Sequence, residues 1–101
     1  DLYGMAVIIT AGGFGNDHTE TSLLDKYGKN KESELPTTNG GWATGDGVKM
    51  GSKIGAKLID MSEIQIHPTG FINPKKRDDK TKFLAPEALR GLGGIVINAK
   101  G

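Results

Sequence analysis

No cysteine occurs among the 101 residues. Disulfides, thiolate metal sites and thiol nucleophiles are therefore excluded, which fits a reducing compartment. An excess of either charge is also lacking: thirteen Lys and Arg face twelve Asp and Glu, a formal net charge of +1. That balance gives no electrostatic reason to expect a nucleic acid or an anionic membrane as partner. The basic run Lys75-Lys76-Arg77 is followed at once by Asp78 and Asp79, which cancel much of its field, so it reads as a solvated loop. Long apolar runs are missing too. The longest, Met5 to Ile9, is far short of the ~20 residues that a membrane span needs. The N-terminus has neither the basic start nor the apolar stretch of a secretory signal. A chain of this length is one domain at most.

Glycine, by contrast, is abundant. Sixteen of the 101 residues are Gly, where about 7% is usual. They follow no collagen-like period and sit beside apolar strands and helix starts. Glycine in such places lets the backbone turn sharply or approach something closely, and a bulky ligand is one candidate.

Along the chain, "MAVIIT" (residues 5–10) predicts a fully buried strand that runs into "AGGFG" (11–15). "NDHTETSLLDKYG" (16–28) predicts a short helix, with Asp17 as cap, Glu20 as its capping-box partner, Gly28 as its end, and Leu23, Leu24 and Tyr27 buried. "KNKESELPTTNGG" (29–41) is turn-rich and reads as a surface connection. From about Gly47, Val48, Gly51, Ile54, Gly55 and Leu58 recur at helical spacing, and the glycines on that stripe imply close packing on a neighbour. "EIQIHP" (63–68) alternates and predicts a half-buried strand. Beyond a charged loop, Pro86 is placed to open a helical turn, and "IVIN" (95–98) predicts a last strand. Strands and helices in this order indicate an α/β to α+β fold.

Several groups of residues are suited to chemistry. "GGFGND" (12–17) does not satisfy the GxGxxG dinucleotide fingerprint, so Thr10, Ala11, Gly12 and Gly13 form either a plain strand-to-turn junction or a ligand contact. Thr44 and Gly45 can present N–H groups at a helix start, and Asp46 can accept from hydroxyls. The alternative is that Thr44 or Asp46 simply caps the helix. His67 lies at a strand end just before Pro68, which restricts its backbone to extended geometry. It is either structural or a ligand for a substrate, and no metal site is expected, because no second histidine or carboxylate stands at metal spacing. Glu87 and Arg90 stand three residues apart, as an ordinary ion pair or as a carboxylate and guanidinium that handle an anion or a proton.

Taken together and in order, "AVIITAGGFG", "TTNGGWATGDGVKM", "LIDMSEIQIHPTG" and "APEALRGLGGIVIN" closely resemble the flavoprotein subunits of fumarate reductases and succinate dehydrogenases. The soluble eukaryotic (yeast- and trypanosomatid-like) fumarate reductases are the nearest in pattern. The resemblance covers essentially the full length. It implies an oxidoreductase with FAD as cofactor, in which hydride from the reduced flavin and a proton convert fumarate to succinate. Thr10, Ala11, Gly12 and Gly13 match a segment lying against FAD, and Thr44, Gly45 and Asp46 match a second flavin contact. His67 matches a histidine that binds a carboxylate of the dicarboxylate substrate, while Glu87 and Arg90 match a pair that delivers a proton. The family usually reads "ATGG" where this chain has Thr10-Ala11-Gly12-Gly13, so the hydroxyl stands one residue earlier. Pro86 occupies a place where many relatives carry a substrate-binding threonine.

The resemblance further implies an internal excerpt, with residues 1–62 from the end of the FAD-binding domain and 63–101 from the start of the capping domain. The remaining flavin and catalytic residues are then expected elsewhere in a parent flavoprotein, cytoplasmic or mitochondrial, and the excerpt alone is expected to be inactive. A rival reading is a small non-catalytic module whose glycines serve only turns.

Overall fold

An extended segment, residues 1–12, opens the computed structural model, which describes residues 1–101. This segment makes no backbone hydrogen bond, so the buried strand expected over residues 5–10 does not form. Val7 is 86% exposed. A strand's N–H and C=O groups need a neighbouring strand, and none lies beside it within these 101 residues. The strands expected over residues 63–68 and 95–98 are likewise unpaired extended chain, with Ile95 83% exposed.

The first helix, α1 (Leu23–Tyr27), begins later than the capping pattern suggests. Its N-cap is Ser22, whose Oγ accepts the Asp25 N–H at 3.1 Å, and Glu20 closes no capping box. Asp17 still serves the helix start from outside, since its Oδ2 accepts the Leu23 N–H at 2.8 Å. Gly28 ends α1 as expected, returning its N–H to the Leu24 carbonyl at 2.8 Å. Leu23 and Leu24 are buried and Tyr27 is half-buried. A 3-10 turn, Glu32–Glu34, follows.

The helix expected from about Gly47 is α2 (Asp46–Lys53). It stops short of Leu58 because Gly55, at φ 82°, takes the left-handed position after the helix. The Gly55 N–H bonds to the Ser52 carbonyl at 3.1 Å and the Ala56 N–H to the Gly51 carbonyl at 3.0 Å, a Schellman closure. Gly55 is thus the stop signal and not part of the packing stripe. The close approach occurs at Gly47, where an added Cβ would meet Ile9 Cγ2 at 2.7 Å and Ala11 Cβ at 3.1 Å. The neighbour on which α2 packs is therefore the extended segment itself.

Two short strands, β1 (Gly70–Phe71) and β2 (Phe83–Leu84), pair antiparallel, with Gly70 opposite Leu84 and Phe71 opposite Phe83. Thr37 adds a parallel bridge to Thr81. Its N–H bonds to the Lys80 carbonyl at 2.9 Å, and its carbonyl accepts the Lys82 N–H at 2.7 Å. The segment expected to be a mere surface connection is therefore fastened to the hairpin. A last turn of helix, α3 (Ala88–Gly91), comes after Pro86, whose carbonyl accepts the Leu89 N–H at 3.2 Å.

Little of this is core. Leu23, Leu24 and Ala85 are the buried apolar side chains, and ten of 101 residues are buried in all. The radius of gyration is 17.1 Å, where about 13 Å is typical of a compact domain of about 100 residues. No helix is long and apolar enough to cross a membrane.

Candidate functional site

The two glycine-bearing elements singled out from sequence come together at the start of α2. The Gly45 N–H donates to the Gly13 carbonyl at 3.1 Å. Gly45 is the N-cap of α2 at φ 73° and makes no side-chain capping bond. A Cβ at Gly45 would strike the Leu23 side chain and stand 2.8 Å from Phe14 Cβ, so both conformation and space require glycine there. With Gly47 seated on Ile9 and Ala11, the segment Thr10–Gly13 lies across the N-terminal end of α2.

Neither Thr44 nor Asp46 caps that helix. Instead the Thr44 hydroxyl donates to Asp46 Oδ1 at 2.8 Å. The N–H groups of Asp46, Gly47 and Val48 have no partner within the chain, and the helix dipole makes this end attractive to polar or anionic oxygens. Gly12, at φ 75°, and Gly13 have nothing within 4 Å of where a Cβ would stand. Their N–H groups are also uncommitted. Open main chain beside free donors is what a flat, carbonyl-bearing ring system needs in order to lie against a turn.

α2 is held in place by a buried ion pair that sequence reasoning missed. Asp17 is fully buried, with Lys49 Nζ 2.8 Å from its Oδ2. Its other oxygen accepts the Thr19 hydroxyl at 2.7 Å, while Oδ2 also takes the Leu23 N–H. Burial pushes the carboxyl pKa up, but the bonds from Lys49, Thr19 and the Leu23 N–H outweigh it and hold the group at about 2. In sequence Asp17 resembled a simple cap. Only the fold brings Lys49 to it.

Thr37 is a second residue missed. It is buried, and its hydroxyl donates to the Gly15 carbonyl at 2.6 Å. The same oxygen accepts the Asn39 N–H at 3.1 Å and Asn39 Nδ2–H at 3.2 Å. Asn39 in turn accepts from Asn16 Nδ2 through its carbonyl at 3.1 Å. A single buried threonine in a polar, aperiodic stretch carries no pattern by which sequence could mark it.

His67 is exposed, at the rim of a cleft lined also by Gly15, Leu24, Thr37, Asn39 and Ile64. Its Nδ1 stands 2.9 Å from the Thr69 carbonyl oxygen and 3.4 Å from the Thr69 N. The shorter contact needs an Nδ1–H donor, which leaves Nε2 without an intramolecular partner. Glu32 lines the same cleft. Its carboxylate is turned to the Asn30 N–H at 2.8 Å, the main reason its pKa lies below the usual range.

Glu87 and Arg90 form a direct ion pair on α3, both more than half exposed. They do not join the glycine turns, and no hydrogen bond links them to His67. The hairpin nonetheless carries them to the same end. Thr69 Oγ1 donates to the Ala85 carbonyl at 3.2 Å, with His67 two residues before the one and Glu87 two residues after the other. No cluster of three or more metal-ligating side chains is present.

A family model described as "FAD binding domain" matches residues 3–101. Among similar proteins, "Fumarate reductase 1" of Saccharomyces cerevisiae is 51% identical over 92 residues, which are 91% of this chain and 19% of that protein. "Fumarate reductase" of Schizosaccharomyces pombe is 47% identical over 100 residues, 99% of this chain and 19% of that protein. "L-aspartate oxidase" of Clostridium perfringens is 33% identical over 100 residues, again 99% and 19%. The chain thus spans 19% of the length of these relatives. With open glycine backbone and free N–H donors where the flavin contacts were expected, and with the match running over nearly every residue, the chain belongs to the FAD-binding domain family of flavoproteins.

Proposed function

We propose that this chain holds the central portion of the flavin and substrate site of a soluble FAD-dependent fumarate reductase. One observation supports the reading: the glycine run touches both the start of α2 and the cleft that His67 lines. Gly13 is bonded to Gly45 at the start of α2, while Gly15 lines the cleft whose rim carries His67. Similarity to the two yeast fumarate reductases over most of the chain supports it. When bound and reduced, the flavin would supply hydride to one alkene carbon of fumarate, with a proton going to the other to give succinate and oxidised FAD.

In this reading Thr10, Ala11, Gly12 and Gly13, with Thr44, Gly45 and Asp46, hold the flavin through main-chain groups and the Thr44–Asp46 pair. Gly12 and Gly13 would leave room for the ring, and the free N–H groups at the start of α2 would be available to its oxygens. His67 binds a substrate carboxylate through Nε2, which donates when the imidazole is protonated. Such a donor also polarises the conjugated double bond toward attack. Glu87 and Arg90 pass the proton. An isolated guanidinium barely titrates, so the glutamate beside it is the group that shuttles. Residues 1–62 belong to the flavin domain and 63–101 to the start of the capping domain.

Expression of the full-length polypeptide tests this directly. A yellow protein that reduces fumarate with a reduced dye as electron donor supports the reading. A protein without flavin, or one that oxidises L-aspartate and leaves fumarate untouched, overturns it.

A further inference from the structure

We infer that Thr37 is a positioning residue, setting the separation between the glycine turn and His67; the inference rests on the fumarate reductase reading above. The hydroxyl of Thr37 is used to its full capacity, with one bond donated to the Gly15 carbonyl and two accepted from Asn39. Its main chain is committed in the opposite direction. The N–H and carbonyl of Thr37 bond to Lys80 and Lys82, the residues that lead into β2. β2 pairs with β1, and the chain entering β1 carries His67, whose Nδ1 is tied to the Thr69 carbonyl.

The connection from Gly15 to His67 is thus hydrogen-bonded at every step, and Thr37 is the step where it crosses from the turn to the hairpin. Burial raises the importance of that step. Thr37 is 8% exposed, so loss of the hydroxyl leaves the Gly15 carbonyl and the Asn39 N–H to find other partners. A turn freed in this way shifts relative to the hairpin, and His67 shifts with respect to whatever lies on Gly12 and Gly13. No chemistry is assigned to Thr37 itself. It acts through Gly15 and β2.

The test uses the full-length flavoprotein and malonate, a dicarboxylate that cannot be reduced, titrated by its effect on the flavin absorption spectrum. Thr37→Val keeps shape and removes the hydroxyl, while Thr37→Ser keeps the hydroxyl. The expected result for Thr37→Val is unchanged flavin content, with malonate affinity and kcat/KM for fumarate reduced about five- to tenfold. Thr37→Ser stays within about twofold of wild type.

Malonate affinity unchanged in Thr37→Val overturns the inference, as does parallel loss of flavin and malonate binding, which marks a merely structural threonine. Should Thr37→Val fail to fold, Thr37→Ser decides. Near-wild-type malonate binding with the hydroxyl retained supports the inference, and a tenfold loss despite it overturns it. Wild-type protein that ignores malonate overturns the fumarate reading and the inference with it. Wild-type binding beside an unaffected Thr37→Val removes the inference alone.

Discussion

The N–H of Gly45 is bonded to the carbonyl of Gly13 at 3.1 Å, and the residues on either side of this bond differ in what they tolerate. Gly45 is enclosed, at positive φ against Leu23 and Phe14, whereas Gly13 is open and at no positive φ. The same residue type therefore does two separate jobs a few ångströms apart.

That difference separates folding from cofactor binding. Gly45→Ala combines left-handed strain with overpacking and destabilises the full-length protein by about 2–5 kcal/mol. Gly13→Ala is expected to change stability by no more than about 0.5 kcal/mol yet to lower flavin occupancy, because a methyl group would stand where the proposed placement puts the ring. Thermal unfolding and the ratio of flavin to protein check both. Full flavin occupancy in Gly13→Ala contradicts the placement of the cofactor.

The Asp17–Lys49 pair predicts a defined response to acid. Its carboxyl is held at about 2, below the ordinary 3.8, so the folded state favours the charged form. The resulting stabilisation, about 2 kcal/mol, is complete above pH 3.8 and is lost as pH falls toward 2. Asp17→Asn in the full-length protein therefore lowers stability by about that amount at neutral pH. The gap between variant and wild type closes on acidification. Denaturant unfolding at several pH values measures it, and a gap independent of pH down to 2 rules out the pair as its source.

His67→Ala is expected to raise KM for fumarate about ten- to a hundredfold, the loss of a hydrogen bond to a charged group, with flavin content unchanged. Equal loss of flavin and substrate binding identifies a structural histidine instead.

Because Glu87 and Arg90 are both more than half exposed, their ion pair contributes only a few tenths of a kcal/mol. Glu87→Gln should leave the melting temperature nearly unchanged while slowing fumarate reduction about a hundredfold, the usual scale for a lost proton-transfer group. Steady-state kinetics beside a melting curve separate the two effects, and an unimpaired rate removes the pair from the proton route.

With three buried apolar side chains, the 101-residue chain on its own is expected to unfold without a cooperative transition and to lose FAD during gel filtration. A sharp transition or a yellow eluate contradicts this.

Local features were readable in the residues alone. Gly28 ends α1, a helix follows Gly45, and Glu87 pairs with Arg90, because each depends on neighbours within one or two turns of chain. The motif order likewise pointed to a flavoprotein, through its resemblance to the fumarate reductase and succinate dehydrogenase family. The residues expected to pair as strands kept their apolar character but found no partner, and apolar pattern cannot state where a partner strand lies.

What tertiary structure alone decided is which distant groups share a bond: Gly13 with Gly45, Asp17 with Lys49, and Thr37 with both Gly15 and the approach to β2. The physical reason is range. A glycine stop such as Gly28 and an i,i+3 pair such as Glu87–Arg90 are settled by forces acting over a few residues, so spacing encodes them directly. A hydrogen bond or ion pair across the fold depends on the path of all the chain between its ends, and a buried threonine or aspartate looks the same in sequence as an exposed one.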